Sequence, residues 1–259
     1  MLALTSATDQ GSRPCQEDRL LIKRVEAQTH NGILLAVADG HGGDATSSYV
    51  ERQLSAGLFD NLLGKTKSPM EALKQTFLHL NDSTLEISKK TGAHFVSGTT
   101  LSMVYLPDSE ANAYVGIIGD SPVILVRKDG SLHISPEHNA RSNKKERKSA
   151  VMRGGKFIDG YIYLSKDSII GLQMTRDLGF QAMGKILKRY PDIYKLLIKK
   201  GDVLVVCSDG LLDPSHLSTE AEAKRIAKLV RKGASAKELI SDALGRQTMD
   251  NVTAIVNRR

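Results

Sequence analysis

Three acids in this chain stand at or beside the ends of apolar runs. Ile33-Leu-Leu-Ala-Val-Ala leads into Asp39-Gly40, Val203-Leu-Val-Val-Cys-Ser leads into Asp209-Gly210, and Asp250-Asn251 immediately precedes Val252 to Val256. A further run, Tyr114-Val-Gly-Ile-Ile-Gly, interrupted by glycine, leads into Asp120-Ser121. A buried strand delivers the side chain at its end with little positional freedom, which suits a site that must hold several groups to tight tolerance. Carboxylates gathered at one such mouth repel one another and stay ionised together only around cations. The chemistry open to them is therefore metal-assisted. Spacing alone does not gather them, because Asp-Gly is also an ordinary turn and Asp250-Asn251 also suits a loop end.

The elements that would position these acids are legible around them. Thr99 to Leu106 and Val252 to Val256 add β-branched runs, and Val123 to Arg127, a Lys-Asp-Gly turn, then Ser131 to Ile134 reads as a hairpin. Val50, Leu54 and Leu58 repeat every four residues and predict one amphipathic helix. Ser68-Pro-Met-Glu71 is a capping box ahead of Leu73, Phe77 and Leu80. Thr219-Glu-Ala-Glu222 precedes Ile226, Leu229 and Val230, and Ser235-Ala-Lys-Glu238 precedes Leu239 and Leu244. Helices thus come in pairs between runs of strands, which argues for an α+β fold with helix pairs covering sheet faces. No GxGxxG is present, which with the paired helices argues against a doubly wound dinucleotide-binding domain.

In order along the chain, the motifs resemble those of the metal-dependent PP2C-type, or PPM, serine/threonine protein phosphatases. They are Arg13-Pro-Cys-Gln-Glu17-Asp18, Asp39-Gly-His-Gly-Gly43, Ser97-Gly-Thr-Thr100, Gly119-Asp-Ser121, Thr175-Arg176, Ser208-Asp-Gly-Leu-Leu-Asp213 and Asp250-Asn-Val-Thr253. The resemblance implies a four-layer αββα sandwich, two antiparallel sheets flanked by helix pairs, over a single domain at 1–259. It implies hydrolysis of phosphoserine and phosphothreonine on proteins by a metal-activated hydroxide at a binuclear centre. Asp39 would bridge two ions, with Asp209 and Asp250 completing one shell, Glu17 and the Gly40 carbonyl serving the other, and Asp18 holding water beside them. Hard oxygen donors of this kind favour Mg²⁺ or Mn²⁺. Arg13 matches the phosphate-binding arginine and His41 the general acid, while Asp120 with Asp209 matches a third metal position of some bacterial members. Pro122, Leu178-Gly179-Phe180 and Leu212 depart from the pattern, which usually has arginine, Gly-Asp and tryptophan there. A catalytically weak, phosphoprotein-binding relative is the alternative.

Composition agrees with a folded globular protein. The chain has 259 residues, 41% hydrophobic and 25% charged, with net charge +7. Its two cysteines, Cys15 and Cys207, form no extracellular framework, and the start carries no signal-peptide pattern, so a cytoplasmic protein is expected. The longest apolar run, Ile33 to Ala38, is too short to span a membrane. The positive charge suits anionic partners, here phosphorylated proteins; nucleic acid ranks lower because only 5% of residues are aromatic. A monomer is expected. Between Arg141 and Lys156 seven basic residues face one acid, Glu146, in the region that forms a flap beside the active site in the resembling family. Such a flap would attract acidic phosphoprotein segments; a solvated, mobile face is the alternative that charge alone favours at least as much. The run 185–200 reads as basic helix and loop surface.

Overall fold

The computed structural model describes residues 4–27, 30–92, 95–212 and 218–259. Two five-stranded antiparallel sheets form its centre. One orders the strands Leu4–Asp9, Val252–Arg258, Val203–Cys207, Val123–Val126 and Leu132–Ile134; the other orders Asp192–Leu197, Asn112–Ile118, Leu101–Pro107, His30–Ala38 and Arg19–Ala27. The uninterrupted apolar runs are explained by burial on both faces. In Val203–Cys207, Leu204 and Val206 join the core between the sheets, while Val203, Val205 and Cys207 face helices. In His30–Ala38, Leu35 and Val37 take the inner face and Leu34, Ala36 and Ala38 the outer one. Strands so constrained can vary only at their ends, which is where Asp39 and Asp209 emerge.

Helices α1 (Ala45–Ser55), α2 (Leu58–Thr66) and α3 (Pro69–Thr91) cover the second sheet. Helix α4 (Lys144–Met152) lies in the flap, and α5 (Thr219–Arg231) and α6 (Ala236–Gly245) cover the first sheet. The arrangement is the αββα sandwich expected. Among the described residues no helix is long and apolar enough to cross a membrane.

Several local expectations need correction. The predicted single helix through Val50, Leu54 and Leu58 breaks at Gly57, whose φ of +92° favours glycine, so three helices rather than two cover that sheet. The Ser68 hydroxyl caps Glu71 N–H, but Glu71 does not reciprocate and instead accepts from Gln75. The α5 cap is Ser218, one residue before Thr219, whereas Ser235 and Glu238 form the full reciprocal box. The basic run 185–200 contains no α-helix: Asp192–Leu197 is an edge strand, with Lys195 and Leu197 exposed. Charged side chains on an edge strand also discourage pairing with other sheets.

The flap is a three-stranded sheet, Lys156–Ile158, Tyr161–Tyr163 and Gly171–Leu172, packed with α4 over a small core containing Ala150, Ile162, Phe180 and Ile186. An ionic network ties it to the sandwich. Arg176 pairs with Glu146 on α4 and with Asp192 on the edge strand, and Thr175 donates to Glu146. His138 Nδ1 accepts from Gly119 N–H, so its Nε2 carries the proton facing Asp192 at 3.1 Å. This network is what the Thr175-Arg176 motif builds.

Candidate active site

The acids converge at one end of the sandwich. Asp39 continues the strand His30–Ala38, and its backbone is fixed by Thr100: Asp39 N–H donates to Thr100 Oγ1 at 3.2 Å and Thr100 N–H donates to Asp39 O at 2.9 Å. Thr100 Oγ1 lies 2.7 Å from Ser121 Oγ, and Ser121 donates to Asp39 Oδ2 at 3.2 Å. A consistent proton order runs round this ring, from Asp39 N–H through both hydroxyls back to its own carboxylate. Thr100 and Ser121 close the Ser97-Gly-Thr-Thr100 and Gly119-Asp-Ser121 motifs, and their part is to hold Asp39. From the other sheet, Asp209 N–H approaches the same Asp39 oxygen at 3.4 Å.

Electrostatics confirms the crowding. Burial, then the charge of Asp209 and further that of Asp18, Asp250 and Asp120, holds the Asp39 carboxyl well above the usual carboxylate range. Asp209 is raised by burial and then by Asp120, Asp250 and Asp18. Burial lifts Asp18 to about 6 against opposing hydrogen bonds from Thr253 and Ser208. Asp120 is lifted to about 7, again chiefly by burial, although Asn139 Nδ2 donates to its Oδ2 at 2.7 Å. Asp18 Oδ2 and Asp120 Oδ1 are buried with no hydrogen-bond partner among the described residues. Orphaned carboxylate oxygens in a cluster of like charge are what a hard cation would satisfy, so the donor set fits Mg²⁺ or Mn²⁺. Among the described residues no three acidic, histidine or cysteine side chains already converge as ligands. Two protein donors engage candidate ligands: Arg13 Nη2 holds Asp250 Oδ2 at 2.8 Å, and Gly43 N–H holds Glu17 Oε1 at 2.7 Å.

The segment carrying Arg13, Glu17 and Asp18 is clamped by Asn251. Its side chain donates to the carbonyls of Gln10 and Cys15 and accepts from Glu17 N–H. Gly40 must be glycine, since a Cβ there would stand 2.4 Å from Glu17 O. Asp213 lies outside the described residues.

His41 is placed differently from the acids. It pairs with Gly98 in a short three-stranded sheet, its ring packs on Phe180 at 5.0 Å, and its Nε2 lies 3.2 Å from Asp177 Oδ2. Both ring nitrogens are shielded from solvent, and burial, assisted by Arg189, pushes the imidazole down to about 4. Asp177 is fully buried and also pairs with Arg189. It escaped the sequence reading because nothing in Thr175-Arg-Asp-Leu-Gly-Phe180 marks its partner. Asp177→Ala should leave Arg189, only 14% exposed, without its counter-charge and cost about 3–5 kcal/mol, measured by urea unfolding. A loss below 1 kcal/mol would contradict the pairing.

An open groove of about 350 Å³ is lined by Asp209 and Asp250 together with Arg13, Met249 and Leu212 and with Arg141 and Tyr161 of the flap region. A larger hollow, about 680 Å³, lies among Arg127, Lys128, Lys199 and Lys200. It sits at the Val203 end of the strand whose Cys207 end leads to Asp209, away from the clustered acids.

The model of protein phosphatase 2C matches residues 3–252, nearly the whole chain. The chain belongs to the protein phosphatase 2C family. It is 30% identical over 256 residues to a probable protein phosphatase 2C 55 of Oryza sativa, covering 95% of this chain but 63% of the relative, so it spans under two thirds of that protein. Among solved structures, a C. elegans sex determining protein superposes with a TM-score of 0.81 at 20% identity, covering 98% of this chain and 64% of that one. The serine-threonine phosphatase 2C from Toxoplasma gondii gives 0.70 at 19%, covering 98% and 93%. Within this PP2C fold Pro122, one of the departures from the family pattern, is buried and its carbonyl accepts from Cys207 N–H at 3.2 Å, bridging two strands of the first sheet.

The raised carboxyls have a consequence for stability. Asp18, Asp39, Asp120 and Asp209 each hold protons more tightly folded than unfolded, so the metal-free PP2C chain binds more protons when folded between about pH 4 and 7 and loses stability as pH rises through that window. The melting temperature of the chelated protein should fall from about pH 5 to about pH 8, and excess Mg²⁺ should raise it more at the higher pH. A flat profile would show that the acids are not coupled as described.

Proposed function

We propose that this chain is a metal-dependent protein serine/threonine phosphatase that hydrolyses phosphoserine and phosphothreonine monoesters with a binuclear Mg²⁺ or Mn²⁺ centre. The observation that carries the reading is the meeting of Asp39 and Asp209 from opposite sheets, both buried and crowded by further acids, beneath a groove lined by Arg13. Asp39, Asp209 and Asp250 would hold one ion, and Glu17, Asp39 and the Gly40 carbonyl the other. Asp120 with Asp209 offers a third position. When bound, such ions polarise phosphoryl oxygens and make water a nucleophile near neutral pH.

The chain's own groups do the rest. Asp18, anchored by Ser208 and Thr253, orients water beside the ligands. Arg13 is half exposed at the groove and, once Asp250 turns to a cation, its planar guanidinium is free to take two phosphoryl oxygens. His41 is the proton donor to the leaving seryl or threonyl oxygen. Both ring nitrogens are shielded from solvent, so entry of substrate must uncover the ring; catalytic hydrogen bonds often form only in the complex. Comparing leaving groups tests this part. His41→Ala should slow a phosphoserine or phosphothreonine peptide by roughly tenfold or more relative to p-nitrophenyl phosphate, whose phenolate departs unaided. Equal losses on both substrates would leave His41 as a support for the Asp39-Gly40 turn.

A further inference from the structure

The basic stretch Arg141 to Lys156 does not act as one surface. Arg147 stacks its guanidinium over Phe157 at 4.6 Å, and Arg153 is spent on Ile186 O and Ser149 Oγ. Lys144, Lys145 and Lys148 lie on α4 and do not line the groove. Arg141 alone of the seven lines it.

The placement of Arg141 is built. Its backbone N–H donates to Asn139 Oδ1 at 2.8 Å, and the same Asn139 side chain holds Asp120, so the start of the flap is registered directly on the acid cluster. The Arg141 side chain lies across the Asp159-Gly160 turn. A Cβ at Gly160, where φ is +94°, would stand 3.0 Å from Arg141 Nε, so glycine leaves the room the guanidinium uses. Among the described residues that guanidinium has no hydrogen-bond or ion-pair partner. The acids sharing the groove are otherwise engaged: Glu137 accepts from Thr219, Asp250 faces Arg13, and Asp209 belongs to the cluster. An unpaired arginine lining the same groove as Arg13 is a second anion site beside the acid cluster.

We propose that Arg141 selects substrates by binding an anionic side chain, a carboxylate or a second phosphate, on the same peptide as the phosphoserine or phosphothreonine being hydrolysed. The proposal rests on the phosphatase reading above. Arginine suits it because its planar fork matches carboxylate and phosphate alike, and the exposed setting makes the contact sensitive to salt.

The test uses the full chain with Mn²⁺ and phosphothreonine peptides that differ only in the residues flanking the phosphothreonine: Ala, Glu, phosphoserine or Lys at each position in turn. Mass spectrometry reports which phosphate leaves. For the wild type, kcat/KM should favour Glu or phosphoserine over Ala by roughly 3–10-fold at one or more positions, disfavour Lys there, and lose this preference at high salt. The ratio is read within each variant, so a partial loss of active protein cancels. Arg141→Ala should bring the Glu-to-Ala ratio to about one, Arg141→Lys should keep part of it, and Arg141→Glu should invert it towards Lys. A preference for Glu with none for phosphoserine assigns the site to carboxylates, and the reverse assigns it to multiply phosphorylated segments. Either supports the proposal. An anionic preference that persists in Arg141→Ala, or none in the wild type, overturns it while leaving the phosphatase reading intact. No turnover of any peptide by the wild type overturns both.

Discussion

Asp39→Asn and Asp209→Asn should each lower phosphate release from a phosphothreonine peptide by roughly a thousandfold, yet make the metal-free protein harder to melt at neutral pH. The two effects share one cause. Each carboxylate sits buried against the other with further acids nearby, so its charge is costly in the empty site and is what an ion would be bound by. An asparagine keeps the shape, removes the repulsion and weakens the site as a cation ligand. At Asp39 the amide must also fit the hydroxyl of Ser121 and the N–H of Asp209, which now donate to a carboxylate oxygen. Its carbonyl oxygen accepts from both equally well. Calorimetry in chelator and peptide turnover in Mn²⁺ read the two halves separately. A variant that loses activity because it melts earlier than the wild type in chelator would contradict the electrostatic account.

Much of this site was legible before any coordinates, for a definite reason. The runs ending at Asp39 and Asp209 are apolar throughout because both sheet faces are covered, so the first polar residue marks the exit of the strand from the core. Elements with one exposed face were harder to read. Lys144–Met152 shows only Glu146 and Ala150 as buried positions, too few for a helical stripe to stand out from its lysines. Asp192–Leu197 carries its charge on the solvent side of an edge strand, which a basic run read as helix conceals. The break at Gly57 is invisible to a four-residue repeat that happens to continue through it. Asn251, Ser121 and Asp177 act by holding Glu17, Asp39 and His41, and such partnerships depend on which loops meet in space. A sequence motif can mark their positions without stating whom they touch.

Arg13→Ala should reduce kcat/KM on both p-nitrophenyl phosphate and phosphothreonine peptides by about 10–100-fold, since a charge-assisted contact of roughly 1.5–3 kcal/mol to the shared phosphoryl group is lost. Affinity for Mn²⁺ should not fall with it. In the structure Arg13 Nη2 occupies Asp250 Oδ2, and Arg13 Nε donates to Met249 O. The guanidinium thus competes with a cation for Asp250, and removing it should leave Mn²⁺ binding equal or tighter. Titration calorimetry of the variant beside its kinetics decides the point. Weaker Mn²⁺ binding together with the kinetic loss would mean that Arg13 organises the acids rather than the phosphate.

The most direct measurement of the central claim, that the buried acids form a metal centre for phosphate ester hydrolysis, counts Mn²⁺ by electron paramagnetic resonance while following phosphothreonine peptide turnover in the same samples. The account predicts at least two bound ions per chain, turnover that rises with their occupancy and vanishes in chelator, and loss of both in Asp39→Asn. Full turnover in protein verified to be metal-free, or Mn²⁺ binding in Asp39→Asn equal to that of the wild type, would contradict it.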